Sequence, residues 1–104
     1  MHRRDGHRHL AVSGELDLGN ATEFEEELSE AASRHQGVFT IDLSGATFMD
    51  SAAVTAMMRV VNKCPRLDIE IQASRQVFAV LHIAGRGRGF WLNVVVFPPA
   101  DETG

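Results

Sequence analysis

Apolar and polar residues alternate along this chain in patterns that predict a succession of strands and helices. Residues 38–43 and residues 67–72 switch between apolar and polar side chains, as a strand with one buried face does. Between these strands, apolar residues recur at the spacing of one helix face, at Val54, Met57, Met58 and Val61. The centre of the chain is therefore expected to read strand, turn, helix, strand.

The first third of the chain adds one strand and one helix. Residues 7–13 carry the pattern of a strand. A helix is expected from about Asn20, where Thr22 and Glu25 have the spacing of a capping box, in which each side chain bonds the other residue's backbone amide. Gly37 is expected to end that helix. Further on, Ser74 is in position to cap a third helix.

A last strand is expected over residues 90–97, which completes the order β-α-β-α-β-α-β. Helical crossovers imply parallel strands with right-handed connections. Because a sheet covered on both faces is apolar on both, the polar residues of the central strands place helices mainly on one face. The predicted fold class is a single α/β domain with a mostly parallel sheet. Its predicted core is Phe39, Ile41, Leu43, Val54, Met58, Leu67, Ile69, Ile71 and Leu81.

The length of 104 residues fits one domain. The folded part is expected to span residues 7–97, with flexible segments at 1–6 and 98–104, and to be monomeric when free. No apolar run reaches the roughly 20 residues of a membrane helix, so no membrane insertion is expected. A single cysteine, Cys64, excludes an internal disulfide, and no apolar signal segment opens the sequence. These features predict a cytoplasmic protein.

Charge and motif content argue against several function classes. A formal net charge of -4 disfavours sequence-independent binding to nucleic acid. His7 and His9 lack a third ligand, so no metal site is expected. The GRGRG segment at residues 85–89 lacks the lysine and Ser/Thr of a phosphate-binding P-loop and is interpreted as a connector. No cofactor or catalytic residue is predicted, and an enzyme that uses this segment is the minority hypothesis.

The polar pair Asp50-Ser51 stands at the start of the central helix. A helix start has unpaired backbone N–H groups and a partial positive charge. The Ser51 hydroxyl can therefore cap the helix or accept a phosphate, and its spacing alone favours the cap. Asp50 can orient that hydroxyl or complement the helix dipole.

Two motifs carry a resemblance to a known family. The sequence GELD at residues 14–17 follows the first strand, and DLSGATFMDS at residues 42–51 links the second strand to the central helix. Together they resemble the STAS domain family, and its bacterial anti-sigma factor antagonists in particular, over about residues 10–97. That family usually continues Asp-Ser with a small polar residue and Gly-Leu, whereas residues 52–54 here are Ala-Ala-Val.

The resemblance implies partner switching in transcription regulation. In this family the antagonist binds an anti-sigma factor that is also a serine kinase, which phosphorylates the serine matched here by Ser51 and then dissociates. A serine phosphatase resets the cycle. Ser51 is accordingly the expected phosphorylation site, with Asp50 supporting it. The alternative is a STAS module of a stress-signalling scaffold or of a lipid or anion transporter assembly.

The partner is expected to bind the exposed side of the central helix. Four residues away from its apolar stripe are assigned to this surface: Ala52, Thr55, Ala56 and Arg59. Three of them are small, which would let the backbone of another protein approach closely.

Overall fold

Six strands and three helices follow one another in the computed structural model, which describes residues 1–6, 8–84 and 93–99. Their bounds are β1 His2–Gly6, β2 His9–Leu16, α1 Ala21–Ser33, β3 Val38–Leu43, β4 Ala46–Met49, α2 Ser51–Asn62, β5 Asp68–Ala73, α3 Arg75–Ala84 and β6 Val94–Phe97. The predicted GRGRG segment and residues 90–92 of the predicted last strand lie outside the described residues. The flexible segment expected over 98–104 is described only to residue 99 and stays a prediction.

The main sheet has the strand order β1-β2-β3-β5-β6, and β4 pairs with β2 beside it. The β1–β2 pair is antiparallel and the other pairs are parallel. The polar side chains of Thr40, Asp42 and Glu70 remain partly exposed on one face, whereas Ile41 and Ile71 are buried on the other. This arrangement confirms the predicted α/β class with a mostly parallel sheet.

The core lies between the sheet and the helices. It contains Phe39 and Ile71, which are fully buried, and the apolar stripes of α1, α2 and α3. Eight of the nine predicted core residues are buried, but Met58 is only half-buried and packs at the margin. Its neighbour Met57, which also belongs to the predicted apolar stripe, is fully buried. The buried face of α2 keeps Val54, Met57 and Val61 from the predicted stripe. It extends over Ala53, Ala56 and Val60 rather than over Met58.

Residues 1–6 are predicted to be flexible, but in the structure they contain strand β1. His2–Gly6 pairs antiparallel with β2 along its whole length. Ion pairs also join β1 to α1, from Arg3 to Glu27 and from Arg34 to Asp5. The hydrogen bond from Arg3 lowers the pKa of the Asp5 carboxyl. These contacts were not predictable from local pattern, because every residue of β1 is exposed.

Two further corrections concern the segments around α1 and α2. Only a turn is expected between the second strand and the central helix, but residues 46–49 form β4, which pairs parallel with β2 with a register shift between Gly14 and Glu15. Helix α1 begins after Asn20, so Thr22 lies inside the first turn and no capping box forms. By contrast, the Ser74 hydroxyl accepts a hydrogen bond from the Val77 amide, which confirms the predicted cap of α3.

Candidate functional site

The candidate site lies where β2 and β4 end and where α1 and α2 begin. The two strands are parallel, with Leu16 opposite Met49. The backbone amide of Asp50 donates to the Leu16 carbonyl at 3.1 Å, which holds the two strand ends together. The two sequence motifs therefore meet in space because β4 pairs with β2. The turn that follows β2, residues 17–20, sits directly beside the start of α2.

Asp50 is the N-cap of α2. One carboxylate oxygen, Oδ1, accepts a hydrogen bond from the Ala53 amide at 3.0 Å. The other, Oδ2, accepts from the Leu18 amide, also at 3.0 Å. Asp50 thus caps one helix and anchors the turn that leads into the other. The expectation that Ser51 could serve as the cap is wrong, because the residue before it already satisfies the free amide at the third helical position.

Ser51 is the first residue of α2, and its side chain is exposed. Within the described part of the chain, its hydroxyl has no hydrogen-bond partner in the protein. The backbone amides of the first helical turn lack carbonyl partners within a helix, and they carry its partial positive charge. The geometry therefore leaves a free hydroxyl at the surface, at a place where a phosphate would be near unpaired N–H groups.

Helices α1 and α2 pack side by side and leave between their N-terminal halves a groove of about 460 Å³, here called the α1–α2 groove. All six residues predicted for the site line it: Asp50, Ser51, Ala52, Thr55, Ala56 and Arg59. The opposite wall comes from Leu18 in the turn before α1 and from Ala21, Thr22 and Glu25 in the first turns of α1. The structure thus brings the predicted phosphorylation site and the predicted contact residues into one surface.

The side chains of the α1–α2 groove differ in how accessible they are. Thr55 and Arg59 are exposed and Ala52 is half-buried. Ala56 is only 1% exposed, which corrects its assignment to the open side of α2, because α1 packs over it. Arg59 Nη1 lies 3.3 Å from Glu25 Oε1, so one ion pair joins the two walls.

Leu18 is a groove residue that the sequence interpretation missed. Its side chain is 80% exposed at the end of the α1–α2 groove next to Asp50. The sequence feature that could have identified Leu18 is a large apolar residue inside the polar turn Asp-Leu-Gly-Asn. Turn residues are ordinarily small or polar.

Elsewhere, a cavity of about 590 Å³ lies near the C-terminal ends of α1 and α2, lined in part by His35, Lys63 and Cys64. None of the predicted site residues borders it.

Among residues 1–6, 8–84 and 93–99, no group of three or more His, Cys, Asp or Glu side chains could hold a metal ion. In the same residues, no helix is long and apolar enough to cross a membrane.

A comparison with protein families matches residues 1–95 of the 104-residue chain to a family model described as "Mlab, STAS domain". A comparison with curated proteins finds no match. The match spans most of the chain and agrees with the observed sheet of mainly parallel strands and its three helices. On these grounds, the chain belongs to the STAS domain family.

Proposed function

We propose that this protein is an anti-sigma factor antagonist that binds an anti-sigma factor with serine kinase activity and is released when that kinase phosphorylates Ser51. At the level of the family, a STAS domain indicates a signalling or antagonist-like role, typically without enzymatic activity. The observation that carries the finer proposal is the exposed Ser51 hydroxyl, left free because Asp50 caps the helix. A serine phosphatase restores the binding form.

The chemistry of this switch makes few demands on the antagonist itself. In phosphoryl transfer, the kinase supplies the nucleotide, the metal ions and the group that accepts the proton of the hydroxyl. The antagonist has only to present that hydroxyl in a fixed place. Asp50 serves this purpose as a positioning residue, because it binds both the α2 N-terminus and the turn at residues 17–20. No catalytic residue of this chain is required.

Release follows from the size and charge of the product. A phosphate on Ser51 adds about -1.5 to -2 charges at pH 7. Next to it, the α1–α2 groove is lined by the small, half-buried side chain of Ala52, against which a partner can pack closely. A partner packed there would clash with the dianion or would have to remove its water, and an unpaired buried charge is costly. The complex therefore dissociates.

In this role the protein acts in the cytoplasm as a monomer that associates with its partner through the α1–α2 groove. It binds no cofactor and makes no direct contact with nucleic acid. Its formal net charge of -4 suits a protein partner better than a nucleic acid.

A second candidate is the STAS module of a lipid or anion transporter assembly. The family match is equally compatible with it, because the matched description names a STAS domain and no partner. In this case the same groove would hold a permanent subunit of the transporter, and Ser51 would be a contact residue that is never phosphorylated.

Affinity capture from the source cell, with wild type and variants, separates the two functions. Wild type and Ser51→Ala should capture the kinase partner, and Ser51→Glu should capture little of it. The matched control Thr47→Ala, which removes an exposed hydroxyl on β4 outside the groove, should resemble wild type. Incubation with the captured kinase and ATP should place the phosphate on Ser51 by mass spectrometry. Modification of Ser44 or Thr55 with Ser51 untouched would contradict the proposal. Capture of transporter subunits equally by wild type and Ser51→Glu would select the second candidate.

A further inference from the structure

Leu18 occupies an unusual position for a large apolar side chain. It is 80% exposed, and it lies in the turn between β2 and α1 rather than on a helix or strand. Its backbone amide donates to Asp50 Oδ2 at 3.0 Å, so it lies immediately beside the residue that precedes Ser51. Folding gains almost nothing from this side chain, because its apolar surface stays in water.

The turn that carries Leu18 is nevertheless tightly bonded. The Asp17 amide donates to Asn20 Oδ1 and the Gly19 amide to Asp17 Oδ1, each at 3.0 Å. The Asn20 side chain also donates to the Glu15 carbonyl at 2.8 Å. The backbone around Leu18 is thus fixed before any partner arrives. Burying its side chain against a partner would cost little ordering entropy, which is the condition for a strong contact residue.

The α1–α2 groove has a defined length and two different ends. From Ser51 to Arg59, α2 rises by about 12 Å, a little over two turns. Leu18 stands at the Asp50 end, and the Glu25–Arg59 ion pair stands towards the other. Between them the groove is lined by Ala52 and Thr55, which remain accessible, and by the buried Ala56 beneath them. A partner segment that lies along the groove must therefore meet Leu18 as it passes Ser51.

Building on the proposed function, we infer that Leu18 is the apolar anchor of the interface and inserts into an apolar pocket of the anti-sigma factor kinase. Glu25 and Arg59 pair with each other, so the Asp50 carboxylate is the one charge outside an ion pair among the side chains that line the groove. This charge fits a pocket rimmed by a basic side chain of the partner. Asp50 then couples the two parts of the interface, since it fixes both Leu18 and the first turn of α2.

The test is calorimetric titration of the purified kinase partner with unphosphorylated wild type, Leu18→Ala and Leu18→Met. Leu18→Ala should bind at least about 30-fold more weakly, the loss typical of an anchor residue. Leu18→Met, which keeps the apolar volume, should stay within about threefold of wild type. The matched control is Ile83→Ala, which truncates a 69% exposed apolar residue on α3, and it should bind like wild type. Thermal unfolding should be unchanged in all variants, because both side chains are exposed.

The outcomes distinguish this inference from the function on which it rests. If Leu18→Ala binds within about threefold of wild type while Ser51→Glu binds weakly, the proposed function stands and the anchor is refuted. Equal losses in Leu18→Ala and Ile83→Ala would also refute it, because the effect would not be specific to the groove. If wild type does not bind the kinase at all, both the function and the anchor are wrong.

Discussion

Asp50 and Ser51 are adjacent, yet the fold gives them separate tasks. Both carboxylate oxygens of Asp50 accept backbone amides, one from α2 and one from the turn before α1. The Ser51 hydroxyl, one residue later, points into no such network within the residues described. A chemically active serine needs this freedom, because a hydroxyl committed to a cap would have to leave it before accepting a phosphate.

This division predicts different stabilities for the two single-residue variants. Asp50→Ala removes the α2 cap and leaves two amides without their acceptor, so the free energy of unfolding should fall by about 1–2 kcal/mol or more. Ser51→Ala removes an exposed hydroxyl that caps nothing, so the change should stay within about 0.5 kcal/mol. Urea denaturation of both variants measures the difference. Equal destabilisation by the two substitutions would mean that Ser51 contributes to the cap after all.

At the scale of elements, the sequence predicts those that have their own apolar pattern. The alternation in β3 and β5 and the helical spacing in α2 were sufficient to locate these elements. Strand β1 has no such pattern, because it is held by pairing with β2 and by ion pairs to α1. Strand β4 exists because β2 extends far enough to pair with it. Both depend on residues distant in sequence, which local periodicity cannot reveal.

In the candidate site, too, features set by local sequence could be predicted and features set by distant residues could not. Asp50-Ser51 could be placed at a helix start from sequence, because turn and helix signals are local. The burial of Ala56 could not be predicted from sequence, because it depends on how α1 packs against α2. This helix contact buries the Ala56 side chain. The exposure of Leu18 was hidden for a similar reason, since the turn conformation depends on Asp50, which is 32 residues away in sequence.

The packing of α1 against α2 changes which substitution can block the groove without harming the fold. Ala56→Arg would force a long charged side chain into a site that is 1% exposed, so it should destabilise the domain by about 1–3 kcal/mol from overpacking alone. Thr55→Arg adds the same bulk on the exposed side of α2, so it should change stability by only about 0.5 kcal/mol. Thr55→Arg should nevertheless abolish capture of the partner.

Thermal unfolding and partner capture, measured together on both variants, check this pair of expectations. A stable Ala56→Arg protein would mean that α1 and α2 separate easily. Partner binding that survives Thr55→Arg would place the interface outside the α1–α2 groove.

At the scale of the whole molecule, the residues assigned to the proposed interface lie together along one groove. Leu18, Asp50, Ser51 and the Glu25–Arg59 ion pair all border the α1–α2 groove. The groove lies on a domain with one continuous apolar core, which includes residues from β2 to α3. The sheet and helices can therefore act as a rigid support for the proposed modification at Ser51.

The last prediction is that phosphorylation of Ser51 releases the partner without remodelling this support. The α2 N-terminus favours the added charge and the Asp50 carboxylate opposes it, each by about 0.3–1 kcal/mol for exposed groups. Since the two effects have opposite signs, the free energy of unfolding should change by less than about 1 kcal/mol. Urea denaturation and hydrogen exchange of the phosphorylated protein should match those of the unmodified form, with β3 and β5 equally protected, while affinity for the partner falls. Loss of protection in β3 and β5, which lie in the core away from the phosphate, would instead mean that the switch works by local unfolding.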